Sequence, residues 1–211
     1  MIDEVDFRQI EADLCGFVRQ AYPNMVVRVE RWAEDPSRIA LFFIEERFES
    51  LYPRQRYHYL IHLIPKEFYD SKLAEAVWFE LAPGESPGET EDDPDDEYIS
   101  EIAPDVMATL QGCGFFRALD ELFSPADGAE AENTCAGDFA VAKQALKRWN
   151  VEEADWSDVF HVLMDRGAFC DCEILYNAAP ESRLRSQHWM RVADQVKHES
   201  TGTRLAGETD H

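Results

Sequence analysis

Ile39-Ala40-Leu41-Phe42-Phe43-Ile44 is an unbroken apolar run, the pattern of a strand covered on both faces. Glu34-Asp35-Pro36-Ser37 just before it is turn chemistry, and Met25 to Trp32 before that is rich in β-branched residues, so the two strands are expected to pair as a hairpin. Upstream, Phe7, Ile10, Leu14, Val18 and Ala21 recur at helical spacing, and Pro23-Asn24 supplies the stop. Downstream, a helix is expected from Ser50 to Ile64, with Tyr57, Leu60, Ile61 and Ile64 on its apolar side and Pro65 at its end. A short helix, Lys66 to Leu73, then leads into a third strand, Ala76 to Leu81. The order is αββααβ. Strand, helix, strand crossovers are nearly always right-handed, so the second and third strands are expected to lie parallel with the helices on one face.

Phe48-Glu49-Ser50-Leu51 and then Arg54-Gln55-Arg56 stand at the entry to the second helix. On that stretch, residues 1–84 resemble the BolA-like family, a small fold of the same element order with a Phe…Arg-His-Arg stretch at that point. The interval from Phe48 to Arg54 is shorter than the family's, and Gln55 occupies the place of the usual histidine. Val77-Trp78 stands where the family's third strand carries a metal-ligand histidine. The iron–sulfur and glutaredoxin partnership of that family is therefore not expected here.

The chain's 211 residues carry a net charge of −23, unevenly spread. Between residues 85 and 134, fifteen acidic side chains face one basic one, Arg117. Residues 85–98 have eight acidic side chains, no basic one and little to bury, so they read as a linker. Residues 99–198 read as a mainly helical module: Ile99–Leu110, the amphipathic Phe115–Phe123, Asp138–Trp149 with Asp138 as N-cap, Asp155–Arg166 and Pro180–Lys197. The tail 199–211 has few apolar residues and two glycines. The expected fold class is α+β, an N-terminal αββααβ module with a mixed three-stranded sheet followed by a mainly helical C-terminal module.

This much negative charge disfavours nucleic acid and anionic membrane surfaces as partners and leaves a protein partner as the expectation. The N-terminus has no basic and apolar leader, and no stretch reaches the about 20 apolar residues of a membrane span. Five cysteines at irregular spacing fit free thiols in a reducing compartment, so the cytoplasm is expected. Oligomeric state has no signature in the sequence.

The chemistry-bearing stretch is Phe169-Cys170-Asp171-Cys172-Glu173-Ile174-Leu175. If it is extended, Cys170 and Cys172 project from one face and can grip one soft metal. Cys135, just before an expected helix N-terminus, is placed to give a third sulfur, with Asp138 or His161 as candidate fourth ligands. Zinc is the expected metal if one binds; the alternative is small buried residues at a turn, with Asp171 or Glu173 bonding the backbone. The segment from Cys135 through Gly167 and Cys170-Asp171-Cys172-Glu173 to Asn177 resembles a bacterial family known only as a domain of unknown function, which implies no activity.

His58 and His62 share a helix face, with Glu67 and Asp70 as further donors, but Tyr59 stands where a zincin needs glutamate. No phosphate-cradling glycine loop or nucleophile elbow is present. The leading expectation is a non-catalytic interaction or adaptor protein. The second is a small metal-binding or redox-sensing protein using Cys135, Cys170 and Cys172, and the third is an enzyme of unknown class.

Overall fold

The computed structural model describes residues 4–88, 94–123 and 134–182. The chain forms two compact units, residues 1–93 and 94–211.

The first unit is built on a three-stranded sheet in the order β1 (Val26–Arg31), β2 (Ile39–Ile44), β3 (Val77–Leu81). β1 pairs with β2 antiparallel, Val29 opposite Leu41, and β2 pairs with β3 parallel, Leu41 opposite Trp78. The sheet is mixed, as expected. Alternation puts Val27, Val29, Ile39, Leu41 and Phe43 on one face. There they meet Ile10, Leu14 and Val18 of α1 (Glu4–Val18), with Phe48, Leu60, Ile64 and Leu73. The other face of β2 departs from the expectation of full cover. Ala40 is buried but Phe42 and Ile44 are only half-buried, because their neighbours are the sheet's own side chains. Phe42 stacks on Phe79 at 5.0 Å, and the Arg28 guanidinium lies 5.1 Å from its ring centre.

The expected helix from Ser50 starts later. Glu46–Ser50 forms a 3-10 turn and α2 runs Pro53–Ile61. Tyr52 precedes a proline, which disfavours helical backbone, and sits at φ −65°, ψ 151°. The side chains α2 buries also differ: Gln55, Arg56 and Leu60 are inside, whereas Tyr57 is 39% exposed. Gln55 Oε1 accepts the Tyr52 N–H at 2.9 Å, closing the first turn. α3 (Lys66–Phe68) continues into a π turn, Tyr69–Leu73, before β3.

Arg56, 6% exposed at its side chain, explains its own burial. Its Nε donates to the Leu51 carbonyl (3.1 Å) and an NH group to the Glu80 carbonyl (2.8 Å). Both NH groups engage Glu85, at 2.6 and 3.0 Å. Glu85, expected in the acidic linker, instead belongs to this unit. Its carboxylate also accepts the Ala82 N–H at 2.7 Å.

The second unit is helical. α4 (Asp96–Gly112) begins before the expected Ile99 because Asp95 accepts the Tyr98 N–H at 2.7 Å and caps it. Its C-terminal turn gives way at Gly114 (φ +80°) to α5 (Phe115–Phe123), whose expected stripe is buried at Phe115, Phe116, Leu119 and Phe123. α6 (Ala140–Arg148) packs against α5, and α7 (Trp156–Asp165) against α4. Phe139 and Phe160 stack at 4.4 Å between them. α8 (Asp171–Glu173) continues into a π turn, Ile174–Ala178. Residues 180–182 are not helical. The rest of the helix expected over 180–197, most of the polar stretch 124–134 and the tail 199–211 lie outside the described residues. Among the described residues no helix is long and apolar enough to cross a membrane.

Candidate metal centre

Two turns deliver the site. α7 ends in a Schellman arrangement, with the Gly167 N–H on the Met164 carbonyl (2.9 Å) and the Ala168 N–H on the Leu163 carbonyl (3.0 Å). Gly167 sits at φ +79°, a conformation glycine adopts without cost. Asn177 donates to its carbonyl at 2.6 Å, so the chain leaves the helix in a fixed direction toward Cys170.

The extended geometry on which the shared-face reading depended is not met. Cys170 is extended (φ −154°, ψ 170°), but a helical turn starts at Asp171. The carboxylates force this. Glu173 accepts the Phe169 N–H at 2.7 Å across the start of the turn. Asp171 accepts the Val141 and Ala142 N–H groups at 2.9 and 2.8 Å, and its own N–H reaches the Asp138 carbonyl at 2.9 Å. The N-cap position of α6 is Phe139, which has no capping group. Asp138, expected to cap, satisfies only the Ala140 N–H at 3.1 Å, and Asp171 caps the helix from about thirty residues away. Asp171 thus bonds backbone, as expected of a turn residue, but the backbone belongs to a distant helix.

Fixing Asp171 against α6 brings its two neighbours beside the segment that leads into that helix. The Cys170 and Cys172 sulfurs lie 3.4 Å apart, and all three Sγ atoms of Cys135, Cys170 and Cys172 lie within 4.8 Å of one another. Tetrahedral zinc, with Zn–S near 2.3 Å, sets its sulfurs roughly 3.8 Å apart. The spacing therefore suits such an ion. Cys170 is 5% exposed, Cys172 half-buried and Cys135 exposed, so the group opens to solvent on the Cys135 side.

The three thiols form one acid. S–H donation from Cys170, then from Cys172, holds Cys135 well below the usual thiol range. Donating to Cys135 keeps Cys170 far above that range and pushes Cys172 up to about 12. Hydrogen bonding among the sulfurs thus favours the thiolate at Cys135 over the other two, and a cation entering the group displaces thiol protons. Burial pushes the Asp171 carboxyl up to about 6, against the pull of its two backbone N–H donors.

Neither Asp138 nor His161 joins this group. His161 is buried in α7 with Nδ1 2.7 Å from the Ser157 carbonyl. A carbonyl only accepts, so Nδ1 carries the proton. His58 and His62 meet edge to face at 4.5 Å, while Asp70 pairs with Lys66 at 2.6 Å. Among the described residues the three cysteines are the group able to supply three or more metal ligands.

No curated protein and no solved structure matches the chain. Residues 122–177, the stretch that holds α6, α7, the three cysteines and Asp171, match the model of a family described as "Protein of unknown function (DUF2695)".

Proposed function

We propose that this is a small metal-binding protein whose second unit holds zinc through Cys135, Cys170 and Cys172, with the fourth position open on the exposed Cys135 side. The observation that carries the reading is the convergence of three sulfurs within 4.8 Å from two segments about 35 residues apart. Thiolates select soft and borderline cations such as zinc. A site of free thiols needs a reducing compartment, which favours the cytoplasm. The adaptor reading rests on composition and module order alone.

The αββααβ order with its parallel β2–β3 pair supports a BolA-like reading of residues 1–84 as a likeness of fold. Phe48 and Arg56, from the stretch that suggested it, meet in this unit's core, the guanidinium 5.8 Å from the ring centre.

Elemental analysis by plasma mass spectrometry, on untagged protein purified without chelator, tests the metal reading. Equimolar zinc that disappears in Cys170→Ser is the expected result. A folded, metal-free protein overturns the reading and returns the adaptor to first place.

A further inference from the structure

The three sulfurs are equivalent as ligands but not in access. Cys135 lies on an exposed, non-helical segment, Cys172 is half-buried in α8, and Cys170 is shut in the core. An oxidant arriving from solvent meets Cys135 first. We infer that Cys135 is a peroxide-sensitive residue, and that its oxidised sulfur is captured by Cys172 as a Cys135–Cys172 disulfide that expels the bound ion.

In the first step the Cys135 thiolate attacks one oxygen of hydrogen peroxide. An S–O bond forms, the O–O bond breaks and hydroxide leaves; sulfur loses two electrons and the peroxide gains them. In the second step the Cys172 sulfur attacks that sulfenic sulfur. The S–S bond forms, the S–O bond breaks and a second hydroxide departs; both sulfurs start as thiolates in the zinc-loaded group, so the two hydroxides take their protons from solvent. Overall, two thiolates, one hydrogen peroxide and two solvent protons give one disulfide and two waters.

The backbone selects the partner. A Cys170–Cys172 bridge looks nearest, with sulfurs 3.4 Å apart, but it closes a very small ring around Asp171. That residue is held at its N–H by Asp138 and at its carboxylate by Val141 and Ala142. Bridging its neighbours strains disulfide geometry and drags Asp171 off the α6 N-terminus. A bridge from Cys135 joins two separate segments, leaves Asp171 in place and needs only movement of an exposed loop residue. Cys172 is half-buried whereas Cys170 is buried, and close packing around a buried side chain resists such a swing.

Ion release rests on the zinc reading proposed above; the disulfide does not. The test treats full-length, zinc-loaded protein with one equivalent of hydrogen peroxide. Released zinc is followed with a chromogenic chelator and disulfides are mapped by peptide mass spectrometry. The expected result is zinc release in step with a Cys135–Cys172 linkage, reversed by dithiothreitol, absent in Cys135→Ser and unchanged in Cys113→Ser. Retention of zinc with all three thiols intact overturns the inference, and so does a Cys170–Cys172 linkage. The same mapping on chelator-treated protein separates the two claims. A protein that never held zinc yet forms the Cys135–Cys172 bridge removes the metal reading and keeps the redox one.

Discussion

The carboxylate of Asp171 receives the backbone N–H of Ala142 at 2.8 Å, so a residue between two cysteines serves as the cap of a helix 29 positions upstream. Helix capping and sulfur placement are therefore one structural event. Anything that loosens Asp171 from α6 moves Cys170 and Cys172 relative to Cys135.

Asp171→Ala is expected to destabilise the second unit by about 1–2 kcal/mol, the cost of an N-cap. It is also expected to weaken zinc binding by roughly 10–100-fold, as loss of ligand-orienting contacts does. Asp171→Asn, which keeps one acceptor oxygen, should fall between. Chelator competition read beside urea unfolding checks both effects. Zinc affinity unchanged in a destabilised Asp171→Ala protein would mean that capping and ligand placement are separable.

Cys170→Ser separates metal from packing. Binding to a site the unfolded chain lacks stabilises the fold, so with zinc present the variant should melt well below the parent. In excess chelator only the smaller penalty of a hydroxyl buried in place of the Cys170 thiol should remain. A difference as large in chelator as with zinc would assign Cys170 to packing alone.

Much of this was legible in the sequence where the information is local. The run Ile39–Ile44 marks a strand that lies exactly over those residues in the structure, and the period of Ile10, Leu14 and Val18 marks a buried helix face. The Cys170/Cys172 pair is visible as spacing, but spacing leaves the backbone between them open. The turn there is set by Asp171 and Glu173, whose carboxylates bond backbone N–H groups. Partnerships across long separations left no such trace. Asp171 with α6 has no sequence period, and Gln55 and Arg56 lie outside the apolar side expected for their helix, Tyr57, Leu60, Ile61 and Ile64. Arg56 is inside only because Leu51, Glu80 and Glu85 supply acceptors around it.

Arg56→Ala leaves the Leu51 and Glu80 carbonyls and the Glu85 carboxylate without this donor. Arg56 is buried but the Glu85 side chain is 31% exposed, so the loss is expected to fall short of the cost of a fully buried ion pair and to be set by the stranded acceptors, about 1–3 kcal/mol. Arg56→Lys should recover little, since one ammonium cannot span the same acceptors. Urea unfolding followed by the fluorescence of Trp32 and Trp78 measures this, and a loss confined to a few tenths of a kcal/mol would deny Arg56 its central place.

The Arg56 hydrogen bond also holds the Glu85 carboxyl below its ordinary value of 4.5. A carboxylate whose folded pKa is depressed stabilises the fold fully above its unfolded pKa, and that contribution is lost as pH falls through the folded one. Glu85→Gln should accordingly unfold at lower urea than the parent at pH 7. The gap should narrow as pH drops below 4.5 and close once Glu85 is protonated in the fold. A gap that stays constant across that range would show that charge is not what Glu85 contributes.

His58 sets a separate and higher window. Burial, and then the charge of neighbouring His62, push it down to about 4 from the ordinary 6.5. Above pH 6.5 it is neutral both folded and unfolded, and its contribution is intact. Between 6.5 and about 4 the unfolded chain takes up a proton that the fold refuses, so stability falls with pH through that interval and levels off below it. Unfolding midpoints at stepped pH should show this decline in the parent and a flatter profile in His58→Gln. Proton NMR of the histidine ring resonances reads the same site directly. His62→Gln should move the His58 titration upward by removing the neighbouring charge, and a His58 that titrates near 6.5 in the parent would contradict its partial burial.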